Sequence, residues 1–145
     1  MKTFAIFYEA NLPKGVDQLP DGTYKQTRDN VTKYALDPQL LKLHRIGGPA
    51  FVSPASEIWC INGKAHRIGG PAIIGPYYEE WWVNGKLHRI GGPAVVIHGI
   101  VNKVKWYVEG VKLTEEDYND LMKRLSTLTD DSDREATIAA ATMFD

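Results

Sequence analysis

Short stretches of alternating apolar and polar residues, separated by glycine-containing turns, fill the middle of the chain. Three of these stretches run into an Asn-Gly or Glu-Gly pair, at residues 56–64, 78–86 and 105–110. Asparagine and glycine readily adopt the positive φ angles that a tight β-hairpin requires. The pattern therefore predicts a series of short antiparallel hairpins.

A seven-residue motif, His-Arg-Ile-Gly-Gly-Pro-Ala, organises these hairpins. It occurs three times without change, at residues 44–50, 66–72 and 88–94, with a spacing of 22 residues. A fixed period in this range is typical of a repeated supersecondary unit. Each unit is predicted to contain a strand, a turn, a second strand and a glycine-containing turn, so that residues 44–113 form one β-meander.

Strand alternation divides the residues that precede the glycine turns into two faces. The first face is predicted to lie in the core and consists of Trp59, Ile61, Trp81, Val83, Trp106 and Val108. The second face is predicted to be half exposed and consists of Cys60, Trp82 and Tyr107. On this second face, Trp82 and Tyr107 either form a binding surface or pack beneath a terminal segment.

The two flanks differ from the repeats. Residues 1–43 are predicted to hold an N-terminal strand at 1–10, a loop and a degenerate first unit. Residues 114–145 are predicted to form two helices, the first capped by Thr114 and the second opened by a capping box at 132–135. One apolar stripe on the first helix consists of Tyr118, Leu121, Met122, Leu125 and Leu128.

These elements predict a mainly β (α+β) fold. We expect an antiparallel β-meander of 22-residue hairpin repeats with an N-terminal strand and a C-terminal two-helix cap. The three segments are 1–43, 44–113 and an acidic cap at 114–145, and a chain of 145 residues has room for them as one structural domain.

Composition and charge narrow the classes of partner. Apolar residues make up 43% of the chain, which excludes a disordered protein, and no apolar run is long enough for a membrane span or a signal peptide. Residues 1–113 carry 14 basic against 9 acidic side chains, a net +5, whereas residues 114–145 carry 3 against 9, a net −6. The basic body is compatible with an anionic ligand or with a tail that folds back onto it, but it is too weakly charged for a dedicated nucleic-acid binder.

The three His-Arg pairs are the candidate chemistry of the chain. They are His44, Arg45, His66, Arg67, His88 and Arg89. Equivalent side chains of successive units should lie about 9.5 Å apart, twice the interstrand distance. The ligands of one metal ion cannot be that far apart, so an uncoiled sheet excludes a three-histidine metal site.

The same spacing suits a row of separate positive charges. The three arginines could face phosphates on a nucleotide or acidic side chains on a protein. Alternatively, each pair has a structural role, with arginine donating to turn carbonyls and histidine fixing the bend after the glycine turn. The single cysteine, Cys60, excludes an internal disulfide and is interpreted as a packed thiol. We assign no catalytic residue, metal or cofactor.

The segments 62–69 and 84–91 resemble the Asn-Gly-Lys-x-His-x-x-Gly centre of MORN-type β-hairpin repeats. The arginine after each histidine and the added Gly-Pro-Ala define a variant that resembles repeats in small, often phage-encoded proteins. The resemblance covers residues 44–113. It implies an elongated β-sheet module that acts in protein contacts, self-association or binding of anionic lipids, without catalytic residues.

The sequence therefore favours a non-enzymatic binding module located in the cytoplasm, or in the host cytoplasm if the protein is phage-encoded. In its sharper form the hypothesis is a phage-type inhibitor of host defence that occupies a host protein or sequesters an anionic nucleotide. The candidate binding residues are the three His-Arg pairs with Trp82 and Tyr107. The alternatives are a structural protein that forms homo-oligomers through its sheet edge and a small nucleotide-acting hydrolase served by residues 11–43.

Overall fold

The computed structural model of the chain describes residues 12–143, which form short strands followed by two helices. The strands are β1 Val16–Gln18, β2 Tyr24–Arg28, β3 Val31–Ala35, β4 Phe51–Val52, β5 Glu57–Ile58, β6 Cys60–Ile61, β7 Lys64–Ala65, β8 Ile73–Ile74, β9 Tyr78–Glu80, β10 Trp82–Val83, β11 Lys86–Leu87, β12 Val95–Ile97, β13 Lys103–Val108 and β14 Val111–Leu113. The helices are α1 Glu115–Ser126 and α2 Asp131–Thr142. The predicted strand at 1–10 lies outside the described residues.

Most strands belong to one open antiparallel sheet of ten strands, in the order β1-β2-β3-β4-β5-β8-β9-β12-β13-β14. Neighbours within the repeats follow chain order, so the predicted meander with a two-helix cap is confirmed. The three motif copies directly precede β4, β8 and β12, and each unit adds two strands to the sheet. Successive copies are therefore two strands apart, or about 9.5 Å.

Each repeat also forms a small side hairpin. The strands β6 and β7 pair with each other, as do β10 and β11, outside the main sheet. The strand is interrupted at Trp59, whose N–H donates to the Ala72 carbonyl while its own carbonyl accepts from the N–H of His66. Trp81 makes the equivalent two hydrogen bonds in the next unit.

The interruption at Trp59 makes part of the prediction wrong, namely which residues before the glycine turns lie in the core. Val108 is fully buried, as expected, but Trp59 and Trp81 are half-buried. Cys60, predicted to be half exposed, is only 6% exposed. Period-2 alternation holds along a continuous strand, and the interruption at Trp59 resets which side the following residues face.

The turns of the side hairpins follow the prediction. Both turn residues have positive φ, 52° and 76° at Asn62 and Gly63, and 51° and 80° at Asn84 and Gly85. This is the backbone of the turn that matches the twist of a two-residue hairpin. A local sequence signal is therefore sufficient to position these turns.

The core of the sheet is thin. Apart from Val108, the fully buried positions of residues 44–113 are alanines, at the last residue of each motif copy. Larger side chains pack together only at the C-terminal end, where α1 covers Val108 with Tyr118, Leu121 and Leu125. The end of the sheet is therefore closed by a cluster that the repeats themselves do not form.

The caps of the two helices differ in how well they were predicted. Thr114 caps α1 by accepting from the Asp117 N–H, as expected. The second helix begins earlier than predicted, because the Asp130 carboxylate accepts from the N–H groups of Ser132 and Asp133 and takes the capping role assigned to Ser132. Neither described helix has the length and apolar character needed to cross a membrane.

Candidate functional site

The three motif copies share one backbone conformation. The first glycine of each has a positive φ, of 76° at Gly47, 79° at Gly69 and 95° at Gly91. The final alanines are fully buried: Ala50, Ala72 and Ala94. Any difference in the contacts of the three copies must therefore come from the residues that surround them.

The motif arginines lie over aromatic rings of the preceding unit. The distance from Cζ to the ring centroid is 4.0 Å for Arg45 over Tyr34, 3.9 Å for Arg67 over Trp59 and 3.7 Å for Arg89 over Trp81. Each arginine also donates from Nη1 to the carbonyl of the proline in its own copy, at 3.0–3.3 Å. These contacts give the arginines a structural role, because a cation over a ring and a bond to a turn carbonyl both fix the fold.

The second glycine of each copy makes room for this arginine. A Cβ atom at Gly48, Gly70 or Gly92 would lie 2.8–2.9 Å from the arginine Cζ. Any larger residue would therefore push the guanidinium away from its ring. The Gly-Gly pair is needed both for the turn and for the stacked arginine.

The histidines join each copy to the turn of the next unit. Their Nδ1 atoms accept from the backbone N–H groups of Asn62, Asn84 and Glu109, at distances of 3.0–3.2 Å. Each histidine thus serves a different turn. Within residues 12–143, no group of three or more His, Cys, Asp or Glu side chains is arranged to hold a metal ion.

One motif position has no such contact role. The isoleucines are 83% exposed at Ile46, 74% at Ile68 and 40% at Ile90. The other motif positions contribute a packed side chain, a hydrogen bond, a positive φ angle or, at the second glycine, the space that the arginine occupies. The isoleucines line the same grooves as the arginines: Ile46 and Arg45 line one groove, and Ile68, Ile90, Arg67 and Arg89 line a second. We call the surface formed by these six residues the motif edge.

An open groove separates the second and third copies. It has a volume of about 430 Å³, and its lining includes Arg67, Ile68, Gly69, Gly70, Trp81 and Arg89. We call it the inter-copy groove. The ion pairs of the described chain join Arg28 to Asp29 and Lys86 to Glu109, so within residues 12–143 no carboxylate neutralises a motif arginine.

The third copy has a different neighbour from the first two. Its glycine N–H groups, of Gly91 and Gly92, both donate to the Tyr118 hydroxyl, at 2.7 and 2.8 Å. The Tyr118 ring packs against Trp106, with a centroid distance of 4.5 Å. Trp59 and Trp81 each stack with the arginine of the next copy, whereas Trp106 packs against Tyr118. Tyr118 therefore takes the place of the arginine that a fourth copy would supply.

The other two predicted site residues are Trp82 and Tyr107, whose carbonyls accept from the N–H groups of Arg67 and Arg89, at 3.0 and 3.2 Å, but which do not line the inter-copy groove. The Trp82 indole N–H donates to Glu80 at 2.8 Å. Tyr107 lines a second groove with Tyr77, Ile97 and Lys105. The structure places the motif arginines and isoleucines together on the motif edge. Trp82 and Tyr107 do not line the two grooves of that edge.

Among residues 12–143, burial is the only influence on the Cys60 thiol. Burial raises the pKa of the Cys60 thiol, which keeps the group protonated at neutral pH. A nucleophilic cysteine requires the opposite shift. The interpretation as a packed thiol fits its burial.

Sequence reasoning missed the polar role of Tyr118. The residue was placed correctly on the apolar stripe of α1, and it is buried there. Its hydroxyl reaches the glycines of the third copy across 26 residues of sequence. No spacing in the sequence signals this contact, because it depends on how the helix docks against the sheet.

No protein-family model matches this chain, and no curated protein or solved structure matches it. The function must therefore be argued from the motif edge itself.

Proposed function

We propose that this protein is a non-enzymatic binding module that holds an anionic ligand along its motif edge. The observation that supports this most directly is the row of arginines that lack a carboxylate partner within residues 12–143. Positive charge that is fixed in place and not neutralised attracts anions, and a groove lined by such charge strengthens that attraction.

The arginines can bind a ligand without leaving their structural positions. A guanidinium has five N–H donors, and Arg67 and Arg89 each use one of them, toward a proline carbonyl. The stacked rings hold the planar groups still, so little side-chain entropy is lost on binding. In this form the protein is an inhibitor of the phage type that sequesters an anionic nucleotide.

Calorimetry tests this proposal, with cyclic dinucleotides and ADP-ribose as probes. We expect a binding heat that Arg67→Gln and Arg89→Gln reduce, with affinity weakened about tenfold for each lost charge-assisted contact. Arg28→Gln is the matched control, because it removes the same charge from an exposed side chain outside the motif.

Thermal unfolding of each variant shows whether the fold is retained. Loss of affinity in Arg28→Gln equal to that in Arg89→Gln would reduce the effect to net charge. The absence of heat with every probe would overturn the nucleotide form of the proposal.

A second candidate is a binding module that occupies a host protein. The exposed isoleucines favour it, because an apolar row beside positive charge resembles the centre of a protein interface. The double variant Ile46→Asp/Ile68→Asp should then abolish retention of a specific protein in a pull-down, whereas Leu41→Asp, at an exposed residue outside the motif, should not.

Light scattering on the purified chain separates this candidate from self-assembly. A monomer that loses a specific partner through the isoleucine variant supports the occupied-protein form. A dimer or larger species that the same variant dissociates supports the structural alternative instead.

A further inference from the structure

The third motif copy shows what its glycine pair can bind. Two successive N–H groups, of Gly91 and Gly92, converge on one oxygen, the hydroxyl of Tyr118. The same hydroxyl donates to the Arg89 carbonyl at 3.2 Å. Successive backbone N–H groups that face one point form a concave site for an oxygen or an anion.

The first two copies have the same backbone but no such oxygen. Within residues 12–143, the N–H groups of Gly47, Gly48, Gly69 and Gly70 donate to no acceptor. In every copy the first glycine has a positive φ and the second glycine lies against the arginine, so we expect these amide pairs to be oriented as in the third copy. In each pair the first glycine is exposed and the second is buried, and Gly69 and Gly70 both line the inter-copy groove.

Beside the second copy, the guanidinium of Arg89 occupies the position that the Tyr118 ring occupies beside the third copy. The Trp106 ring packs against the Tyr118 ring, whereas the Trp81 ring packs against the Arg89 guanidinium. Gly69, Gly70 and Arg89 all line the inter-copy groove. An oxygen bound by the glycine pair of the second copy would thus face a positive charge instead of a ring.

We propose that the Gly69–Gly70 amides and the Arg89 guanidinium together bind a phosphate group. The Gly47–Gly48 amides and Arg67, which lies over Trp59, form the equivalent site one unit earlier. We call these two positions the twin-amide sites. The proposal rests on the proposed function and names the group of the ligand that the motif edge recognises.

The chemistry at the site favours phosphate over carboxylate. The occupant of the third copy both accepts from two N–H groups and donates to a backbone carbonyl. A phosphate monoester offers three acceptor oxygens, and below its second pKa near 6 one of them carries a proton that it can donate. A carboxylate carries no donor and would leave the carbonyl of Arg67 without a partner.

Amide NMR spectra of the full chain, titrated with inorganic phosphate, test the twin-amide sites. We expect saturable shifts of the Gly47, Gly48, Gly69 and Gly70 signals. Gly91 and Gly92 are the internal control, because the same motif is filled there by Tyr118. Acetate at the same ionic strength should bind at least about tenfold more weakly.

The variant Arg89→Gln sharpens the test within one molecule. It should weaken phosphate binding at Gly69 and Gly70 about tenfold and leave the response at Gly47 and Gly48 unchanged. Uniform shifts at all glycines, no saturable shift, or an equal response to acetate would each overturn the proposal.

The outcome is separable from that of the proposed function. If a nucleotide binds but these amides do not respond to phosphate, the proposed binding function is supported and the twin-amide sites are refuted. If the amides respond to phosphate while no nucleotide produces heat, the twin-amide sites are supported and sequestration of a nucleotide is refuted.

Discussion

The second and third motif copies have the same seven residues and the same backbone, but they face different neighbours. The second copy faces the arginine of the next unit across an open groove, whereas the third is closed by Tyr118. Identical sequence therefore gives one amide pair that has no acceptor among residues 12–143 and one pair that is satisfied by Tyr118. The neighbour, and not the motif, decides whether a copy is available to a ligand.

This difference also explains how the array ends. A repeat sheet requires a terminal element that satisfies the groups the next repeat would have satisfied. Here α1 supplies a ring for Trp106 and an oxygen for the glycine pair from one residue, Tyr118. The cap therefore mimics the missing unit as well as covering the core.

The largest effect should come from removing this residue. Tyr118→Ala deletes a buried ring and three hydrogen bonds, and we expect the free energy of unfolding to fall by about 3–5 kcal/mol, as for other buried aromatic residues. Urea denaturation measures the loss. Tyr77→Ala, at an exposed tyrosine, is the control and should change stability by less than about 0.5 kcal/mol.

If Tyr118→Ala were as stable as the Tyr77 control, α1 would not be docked through this residue. The comparison between open and closed copies would then lose its physical basis.

A narrower change converts the third copy toward the open state. Tyr118→Phe retains the ring and removes the oxygen, so we expect a cost of about 1–3 kcal/mol from the amides and carbonyl that lose their partner. Amide hydrogen exchange at Gly91 and Gly92 should accelerate toward the rates at Gly69 and Gly70. Unchanged protection in the variant would show that another acceptor serves these amides.

The third effect depends on contacts within one copy. Gly70→Ala places a Cβ within 2.9 Å of the Arg67 Cζ, which displaces the guanidinium from Trp59. We expect a loss of about 1–2 kcal/mol, the combined value of the stacking and the bond to the proline carbonyl. Thermal unfolding measures the change.

A double-mutant cycle isolates the cause. If Gly70→Ala acts through Arg67, the variant Gly70→Ala/Arg67→Ala should be no less stable than Arg67→Ala alone. Full additivity of the two losses would instead place the cost in the backbone.

The parts of the fold that were predictable are those with a local signal. The turn at Asn62 and Gly63 needs positive φ at two successive residues, and the sequence shows this directly. The stripe of α1 and its cap at Thr114 depend on spacings within four residues. The 22-residue period likewise predicts that equivalent side chains stay apart.

The remaining features depend on contacts between units. The strand breaks at Trp59 because its backbone hydrogen bonds go to Ala72 and His66, which no alternation pattern within 56–64 reveals. The candidate arginines were identified from repetition alone. Their stacking partners and the glycine donors beside them become evident only when adjacent units are placed in register.

The smallest predicted effect concerns how the first copy is entered. The second and third copies follow Asn-Gly hairpins, whereas the first follows a loop in which the Asp37 carboxylate accepts from the N–H groups of Leu41 and Lys42, at 3.1 and 2.7 Å. Partial burial opposes ionisation, but the backbone hydrogen bonds outweigh it, so the pKa of Asp37 lies below its ordinary 3.8.

A lowered pKa in the folded state means that this loop is stabilised above pH 3.8 and loosens as the pH falls through the folded-state value. The amide NMR signals of Leu41 and Lys42 should titrate with a midpoint below 3.8, and Asp37→Asn should abolish the titration. The amides of Gly63 and Gly85 in the hairpins should show no such step. A midpoint above the ordinary value would mean that burial, and not the two N–H donors, controls this carboxyl group, and the first copy would then be destabilised by ionisation of its entry loop.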